Sequence, residues 1–362
     1  MRPLPPYADD VGMPSSVSSS LPRPEHLDVT TRGSIPRELS GRLVGIGNDQ
    51  VVRSVLLRPG QTPSYQTQQL GTDTTLRNVL AFGGITLVLG DDSPAYELSA
   101  QLDTFGVVDL AGQDQAVAAF PKHDVATGEL HLVAHTQDGT QSHVIVTAGA
   151  LTRRRRPILH TPQRITDLAL TSDSVVFVAD GFVGITPREG DARTTWMVTE
   201  VADPHLVHAH DAGGAIVVLV VTPTLERWTL HAGARTVERE VLDPTPRRFA
   251  HLIDNTREGA LRWAWTTGDA TIGRHDLVDS RNVHHFVTPS VPGDFAVVPD
   301  AARPDDTGGG WLIGFIHSTA GATTDLRVID AADPTAPAVL TVRIPHRIPP
   351  DLRCAWIPSA QH

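Results

Sequence analysis

Seventeen histidines in a chain of 362 residues raise metal or proton chemistry as the first question. Imidazole suits first-row metals and changes charge nearest neutral pH. Lys122 is the only lysine and suggests a Schiff base, but no neighbour in sequence points to the desolvation that would activate it. The single cysteine, Cys354, follows Arg353, whose charge would favour a thiolate. One cysteine excludes an internal disulfide and any multi-cysteine zinc or iron–sulfur centre. No Gly-x-Ser-x-Gly nucleophile motif is present. The run Arg153 to Arg156 reads either as a phosphate or nucleic-acid patch or as a solvated turn between two strands, and Pro157 and the acidic chain favour the turn.

The elements that must position these groups are short. Thirty basic against 41 acidic side chains give a net charge of −11, which argues against nonspecific binding to nucleic acid. No window approaches the ~18–20 apolar residues of a membrane-spanning helix. Residues 1–24 read as a flexible Pro/Ser-rich arm rather than a secretion signal, so a cytoplasmic location is expected. Beyond residue 40, apolar runs of four to eight residues alternate with turn signals. Examples are Glu129 to His135, Ser174 to Ala179, Ala215 to Val221 and Gly310 to His317, separated by turns such as Asp138-Gly139 and Asp211 to Gly214. No dozen residues carry a helical stripe. Many short strands without helices imply a sandwich, barrel or propeller, and at this length one propeller is the economical solution. Without a repeated WD or kelch signature the blades should be irregular.

Several segments, in order, resemble the carotenoid cleavage oxygenase family of iron-dependent seven-bladed propellers. They include Ile35 to Gly41, Asn78 to Leu89, Leu102 to Gly106, Pro121-Lys122 with Thr127 to Leu130, Pro204 to Ala212, and the stretch from Gly310 to Pro349. The resemblance covers roughly residues 25 to 358. It implies an all-β, seven-bladed β-propeller over residues 25–362, with a reduced cap because the chain is short for the family.

In that family four histidines hold a ferrous ion on the propeller axis and three glutamates orient them. The positions of the four ligands fall here on Phe120, Thr166, His208 and Arg353. The orienting glutamates fall near Gly90 or Asp91, near Arg248 or Phe249, and at Asp294. Phenylalanine cannot ligate, threonine is a poor ligand, and arginine repels a cation. A rearranged iron site using His123, His160, His205 or His210 is the competing reading. Strand alternation disfavours it, because His123 and His205 each lie three residues from the ligand position and should face away.

The resemblance therefore implies a protein that has discarded iron and uses no cofactor. Phe120, Thr166, His208 and Arg353 should converge near the axis with Asp294 behind them. His208 would move a proton, Arg353 would stabilise a developing oxyanion, and Asp294 would orient either. The expected partner is an apolar small molecule, polyene, terpenoid or polyketide-derived. The expected reaction is metal-independent cyclisation, isomerisation or elimination. Alternatives are a binding protein without chemistry and an iron dioxygenase with relocated ligands.

Overall fold

A computed structural model of the chain describes residues 18–20 and 23–359, apart from 72–73, 92, 113–114, 137, 149–152, 159–160, 162, 190–192, 252–260, 288 and 301–307. His160 and most of the N-terminal arm lie outside the described residues. The described residues form strands and turns with no helix, and so no helix long and apolar enough to cross a membrane.

The strands make seven antiparallel sheets of four or five strands, arranged in a ring as a seven-bladed β-propeller. Blade 1 runs Leu76–Phe82, Ile85–Gly90, Ala95–Leu98 and Thr104–Val108, and Ser18–Ser20 pairs with its outer edge. Blade 2 sets Ala116–Val117 and Lys122–Asp124 against Glu129–His135, followed by Gln141–Thr147 and Arg153–Ile158. Blade 3 comprises Ile165–Leu170, Ser174–Ala179, Phe182–Pro187 and Thr195–Val198. Blade 4 comprises His205–Ala212, Ala215–Val221, Leu225–His231 and Glu238–Asp243. Blade 5 comprises Phe249–His251, Trp263–Thr267, Thr271–Asp276 and Arg281–Phe286. Blade 6 runs Ser290–Pro299, Gly310–Ser318, Thr324–Asp330 and Leu340–Ile344, with Thr30–Gly33 added outside. Blade 7 closes the ring. Its inner strand, Arg353–Pro358, comes from the C-terminal end and pairs with Gly41–Ile46, then Val51–Leu57, Ser64–Gln69 and Glu25–Leu27.

The sequence enforces this order locally. The central strands are almost continuously apolar because both faces are covered by neighbouring blades; Ser174–Ala179 reads SVVFVA with five buried residues. The turn between the first two strands of blade 4 is Gly213-Gly214, with φ of 58° and 90°, the left-handed pair that a two-residue hairpin demands. Packing between blades supplies the core. Leu43, Val55 and Tyr65 of blade 7 meet Ile313, Phe315 and Val328 of blade 6 in one buried cluster. Each such side chain contributes roughly 1.5–3 kcal/mol.

Arg153 to Arg156 forms an outer strand of blade 2 and not the turn that Pro157 suggests. An edge strand dense in charge is soluble and resists pairing with other chains.

Candidate active site

The first strand of each blade faces the propeller axis, and four of these inner strands carry bulges. The extra residues are Arg77 in Leu76–Phe82, Thr166 in Ile165–Leu170 and Val207 in His205–Ala212. In Ser290–Pro299, Gly293 and Asp294 oppose a single residue. A bulge re-aims side chains where the ladder is interrupted, and bulges gather beside binding sites. The inner edge of blade 2 is broken outright: Phe120 lies between its two inner segments and bridges to Asp167 of blade 3.

These interruptions surround a cavity of about 220 Å³. Phe120, Thr166, Asp167, His205 and Arg353 line it among buried Ile46 and Leu76, while exposed Asn48, Arg77, Asp203 and Asp351 form its rim. Its lining is more polar than an apolar substrate cavity requires. The rim is tied by Asn48 Nδ2 donating to Asp351 Oδ2 at 2.6 Å and by an Arg77–Asp91 ion pair at 2.9 Å. Such a volume lies below the roughly 300–1,000 Å³ of pockets that enclose a drug-sized ligand. It suits a small molecule or one end of a longer one.

Three of the four expected positions meet here. The Arg353 guanidinium carbon lies 5.3 Å from the centroid of the Phe120 ring and 4.5 Å from that of Phe249. Both are within cation–π range. Phe249 is one of the two residues matched to an orienting glutamate, so aromatic faces stand at one of the matched ligand positions and at one of the matched orienting positions. Thr166 Oγ1 is buried with no hydrogen-bond partner.

His208 is not among the cavity's lining residues; its ring stacks on His210 with centroids 5.7 Å apart. His205 lines the cavity, with its ring edge-on to Phe120 at 5.0 Å. Plain alternation puts His205 and His208 on opposite faces, but the bulge changes this. His205 pairs with Val221 and His208 with Leu219, two residues apart, so both project to one face of the blade. Of the two, His205 is the one that lines the cavity. His123 packs edge-on against Phe82, away from the cavity.

His205 is held from behind. Its Nδ1 donates to Asp167 Oδ2 at 2.7 Å. Asp167 is 2 % exposed and is surrounded by donors: the backbone N–H of Leu206 at 2.9 Å, that of Leu168 at 2.7 Å, and Lys122 Nζ at 3.3 Å. Burial alone would raise the Asp167 pKa. The charges of Lys122 and His205 and the hydrogen bonds outweigh it and hold the carboxyl below its ordinary value. Burial lowers the His205 pKa, with help from Arg353 and Lys122, against the opposing pull of Asp167. A neutral His205 whose Nδ1–H is committed to Asp167 keeps the Nε2 lone pair for another partner.

Lys122 also donates to Leu206 O at 3.0 Å and is engaged on structural partners rather than poised as a free amine. Asp294 accepts the backbone N–H of Cys354 at 2.8 Å, which anchors the start of the strand carrying Arg353. Burial and Asp294 push the Cys354 thiol well above its usual pKa and overcome Arg353, so it is not an activated nucleophile. Asp167 is the residue that the sequence did not single out, and His205 figures there only as a relocated iron ligand that strand alternation disfavours. The available signal was the aspartate following the second ligand position; the bulge that brings His205 into the site leaves no sequence mark.

The residues at the axis do not fit a four-imidazole iron centre. The lining offers one imidazole, a phenyl ring, a hydroxyl and a guanidinium, and the guanidinium disfavours a cation beside it. A second cluster, Asp243, His275 and His284 between blades 4 and 5, brings three possible ligand atoms within 4.8 Å of one another. Arg247 occupies it: its Nη2 lies 2.5 Å from Asp243 Oδ2 and 2.9 Å from His284 Nε2.

The family profile for retinal pigment epithelial membrane protein matches residues 57–197 and 209–358, most of the chain. The chain belongs to this family, that of the carotenoid cleavage oxygenases. A carotenoid cleavage oxygenase of Mycobacterium tuberculosis H37Rv is 23% identical over 92% of this chain and 94% of the relative. That alignment spans 476 positions against 362 residues here, so the relative carries segments within the aligned span that this chain lacks. The apocarotenoid-15,15'-oxygenase of Synechocystis is 26% identical over 36% of this chain and 29% of the relative. Among solved structures, lignostilbene dioxygenase from Pseudomonas brassicacearum superposes with a TM-score of 0.80 at 17% identity, covering 96% of this chain and 97% of that one. A cobalt-substituted Synechocystis apocarotenoid oxygenase superposes with a TM-score of 0.77 at 16% identity and the same coverage. At these identities the likeness of structure speaks for the fold.

Proposed function

We propose that this carotenoid-oxygenase relative works without the four-histidine iron centre and carries out a metal-independent, non-oxidative step on a small molecule. The substrate has an apolar body, polyene, terpenoid or polyketide-derived, and an oxygenated end that enters the axial cavity. The reaction is a proton-transfer isomerisation, cyclisation or elimination. The observation that carries this reading is the His205–Asp167 pair, which shares one cavity with the Arg353 guanidinium.

In this reading Asp167 fixes the ring and tautomer of His205. His205 Nε2 removes a proton from carbon beside the substrate's oxygen-bearing end, and the imidazolium returns it at another carbon. Asp167 stabilises the imidazolium while it lasts. Arg353 stabilises the charge that develops on the oxygen, with its guanidinium orientation set by Phe120 and Phe249. Thr166 Oγ1 offers a buried hydroxyl to the same polar end. Asp294 acts at one remove, positioning the strand that bears Arg353. The base is assigned to His205 rather than His208 because His205 lines the cavity.

The test uses full-length protein prepared from cells supplied with iron(II). Its metal content is measured, and a panel of apocarotenals and hydroxylated stilbenes is incubated with it, with and without dioxygen. The expected result is iron well below one per chain and conversion to products of equal mass, or mass less water, at the same rate anaerobically. His205→Ala and Arg353→Ala should each slow conversion by roughly 100-fold or more. Stoichiometric iron with oxygen-dependent cleavage would sink the proposal. Saturable binding with ligand recovered unchanged would instead favour a binding protein.

A further inference from the structure

A second cavity, of about 320 Å³, opens between blades 2 and 3, away from the axial site. Its described lining includes four arginines, Arg154, Arg155, Arg156 and Arg188, with His143 and a single acid, Glu189. Arg154 and Arg156 are two residues apart on the outer strand of blade 2 and share a face, opposite Ile145 and His143. Arg188 follows the third strand of blade 3.

The arginines are held in place. Arg156 reaches across to blade 3, donating from Nη1 to Pro187 O at 2.6 Å and from Nη2 to Arg188 O at 3.3 Å. Arg154 Nη2 donates to Glu129 Oε1 at 2.6 Å. Arg188 pairs with Asp124 and donates from Nη1 to Thr171 O at 3.1 Å. Arg155 turns to Gln115 Oε1 at 2.5 Å.

A donor chain reaches the same cavity. Arg188 Nη2 faces His131 Nε2 at 3.4 Å, and a guanidinium can only donate, so that nitrogen presents its lone pair. The proton of neutral His131 is then on Nδ1, which lies 3.0 Å from His143 Nε2 and donates to it. His143 in turn carries its proton on Nδ1. Both rings are almost fully buried, 1 % and 2 % exposed. Burial first, and the neighbouring charges second, keep both imidazoles neutral, with pKa values of about 4 and about 3. The cavity is thus lined by four guanidinium groups, two of them paired with Glu129 and Asp124, and by the ring of His143, whose tautomer the chain behind it sets.

We propose that this cavity binds a phosphoryl group, carried either by a soluble small molecule or by a lipid head group. Guanidinium forks match phosphate oxygens, and several cations converging on one site suit a dianion better than a single carboxylate. The cluster stands out against a chain whose net charge is −11, so general electrostatic attraction of anions does not account for it.

The test uses the full chain. Isothermal titration with inorganic phosphate and with pyrophosphate, against acetate at equal ionic strength, reads the free-phosphate arm. Flotation with phosphatidylcholine vesicles, with and without phosphatidic acid, reads the lipid arm. Saturable binding in either arm is expected, weakened about tenfold or more by Arg156→Gln and by Arg154→Gln, and partly kept by Arg156→Lys. Arg154→Gln alters a side chain that is 67% exposed and so remains readable if Arg156→Gln fails to fold. No saturable binding in either arm, unchanged affinity in the glutamine variants, or equally tight acetate binding would each overturn the proposal. None of these outcomes depends on the chemistry of the axial site.

Discussion

His205 Nδ1 lies 2.7 Å from Oδ2 of Asp167, a carboxylate that is buried and also held 3.3 Å from Lys122 Nζ. The ring sits on blade 4, the carboxylate on blade 3 and the ammonium on blade 2, so the contact depends on three consecutive blades keeping their places. It gives one imidazole at the axis a fixed orientation and a fixed tautomer. That is what a general base needs, and it is also an arrangement whose parts can be removed separately.

His205→Ala should abolish most turnover and lower the urea unfolding midpoint only modestly, because Asp167 keeps Lys122 and two backbone N–H donors. Asp167→Asn should do both kinds of damage, because it strips the buried partner of Lys122 and His205. A loss of about 3–5 kcal/mol is expected from breaking such a pair. Equal destabilisation by the two variants would mean that His205 is chiefly a structural group.

Acid stability should fall in two stages. His131, His143, His275 and His317 are held near pKa 4, 3, 4 and 4, with burial the largest cause in each. In the unfolded chain they take up protons below about pH 6.5. Between pH 6.5 and about 4 the unfolded state therefore binds more protons, and stability drops as pH falls. Asp243 and Glu226, each lowered to about 2, are held down against the raising effect of burial by hydrogen bonds from neighbours including Arg247 and Arg239. Their contribution is present above the unfolded carboxyl pKa and is lost between about pH 4.5 and 2. His317→Asn should flatten the first limb of a urea-midpoint-against-pH curve and leave the second in place.

The contact between Arg353 and Phe120 predicts a measurable coupling. A double-mutant cycle of Phe120→Leu and Arg353→Met, read by chemical denaturation, should return about 0.5–2 kcal/mol. A coupling of zero would mean that the ring does not hold the guanidinium.

Arg247 fills the space among Asp243, His275 and His284. Parent protein should therefore gain no thermal stability from zinc at this site. Arg247→Ala should lower stability and gain a zinc-dependent rise in Tm, which His284→Ala then removes. If the parent already shows the zinc effect and His284→Ala abolishes it, the guanidinium is not an effective block.

Much of the architecture is legible in the chain. Runs such as Glu129 to His135, Ser174 to Ala179 and Ala215 to Val221 are strands with the bounds their apolar patterns suggest. Phe120, Thr166 and Arg353 reach one cavity as the motif positions imply. The Arg153 to Arg156 segment reads as a turn because proline follows it, yet its alternate side chains are used on the edge of a blade.

The amino-acid sequence by itself determined the strand pattern, the family motifs and the chemical types at the positions matched to the family's ligands, since these depend on residue identity and short-range periodicity. Tertiary structure decided which groups meet. One inserted residue, Val207, brings His205 to the same face as His208, and spacing along a strand predicts facing only while the ladder is regular. Ring closure pairs Arg353 with Ile46 across nearly the whole chain, and this long-range contact carries the guanidinium to the axis. The polar floor that results, with Asp167 behind His205, belongs to blades held against one another by their buried faces.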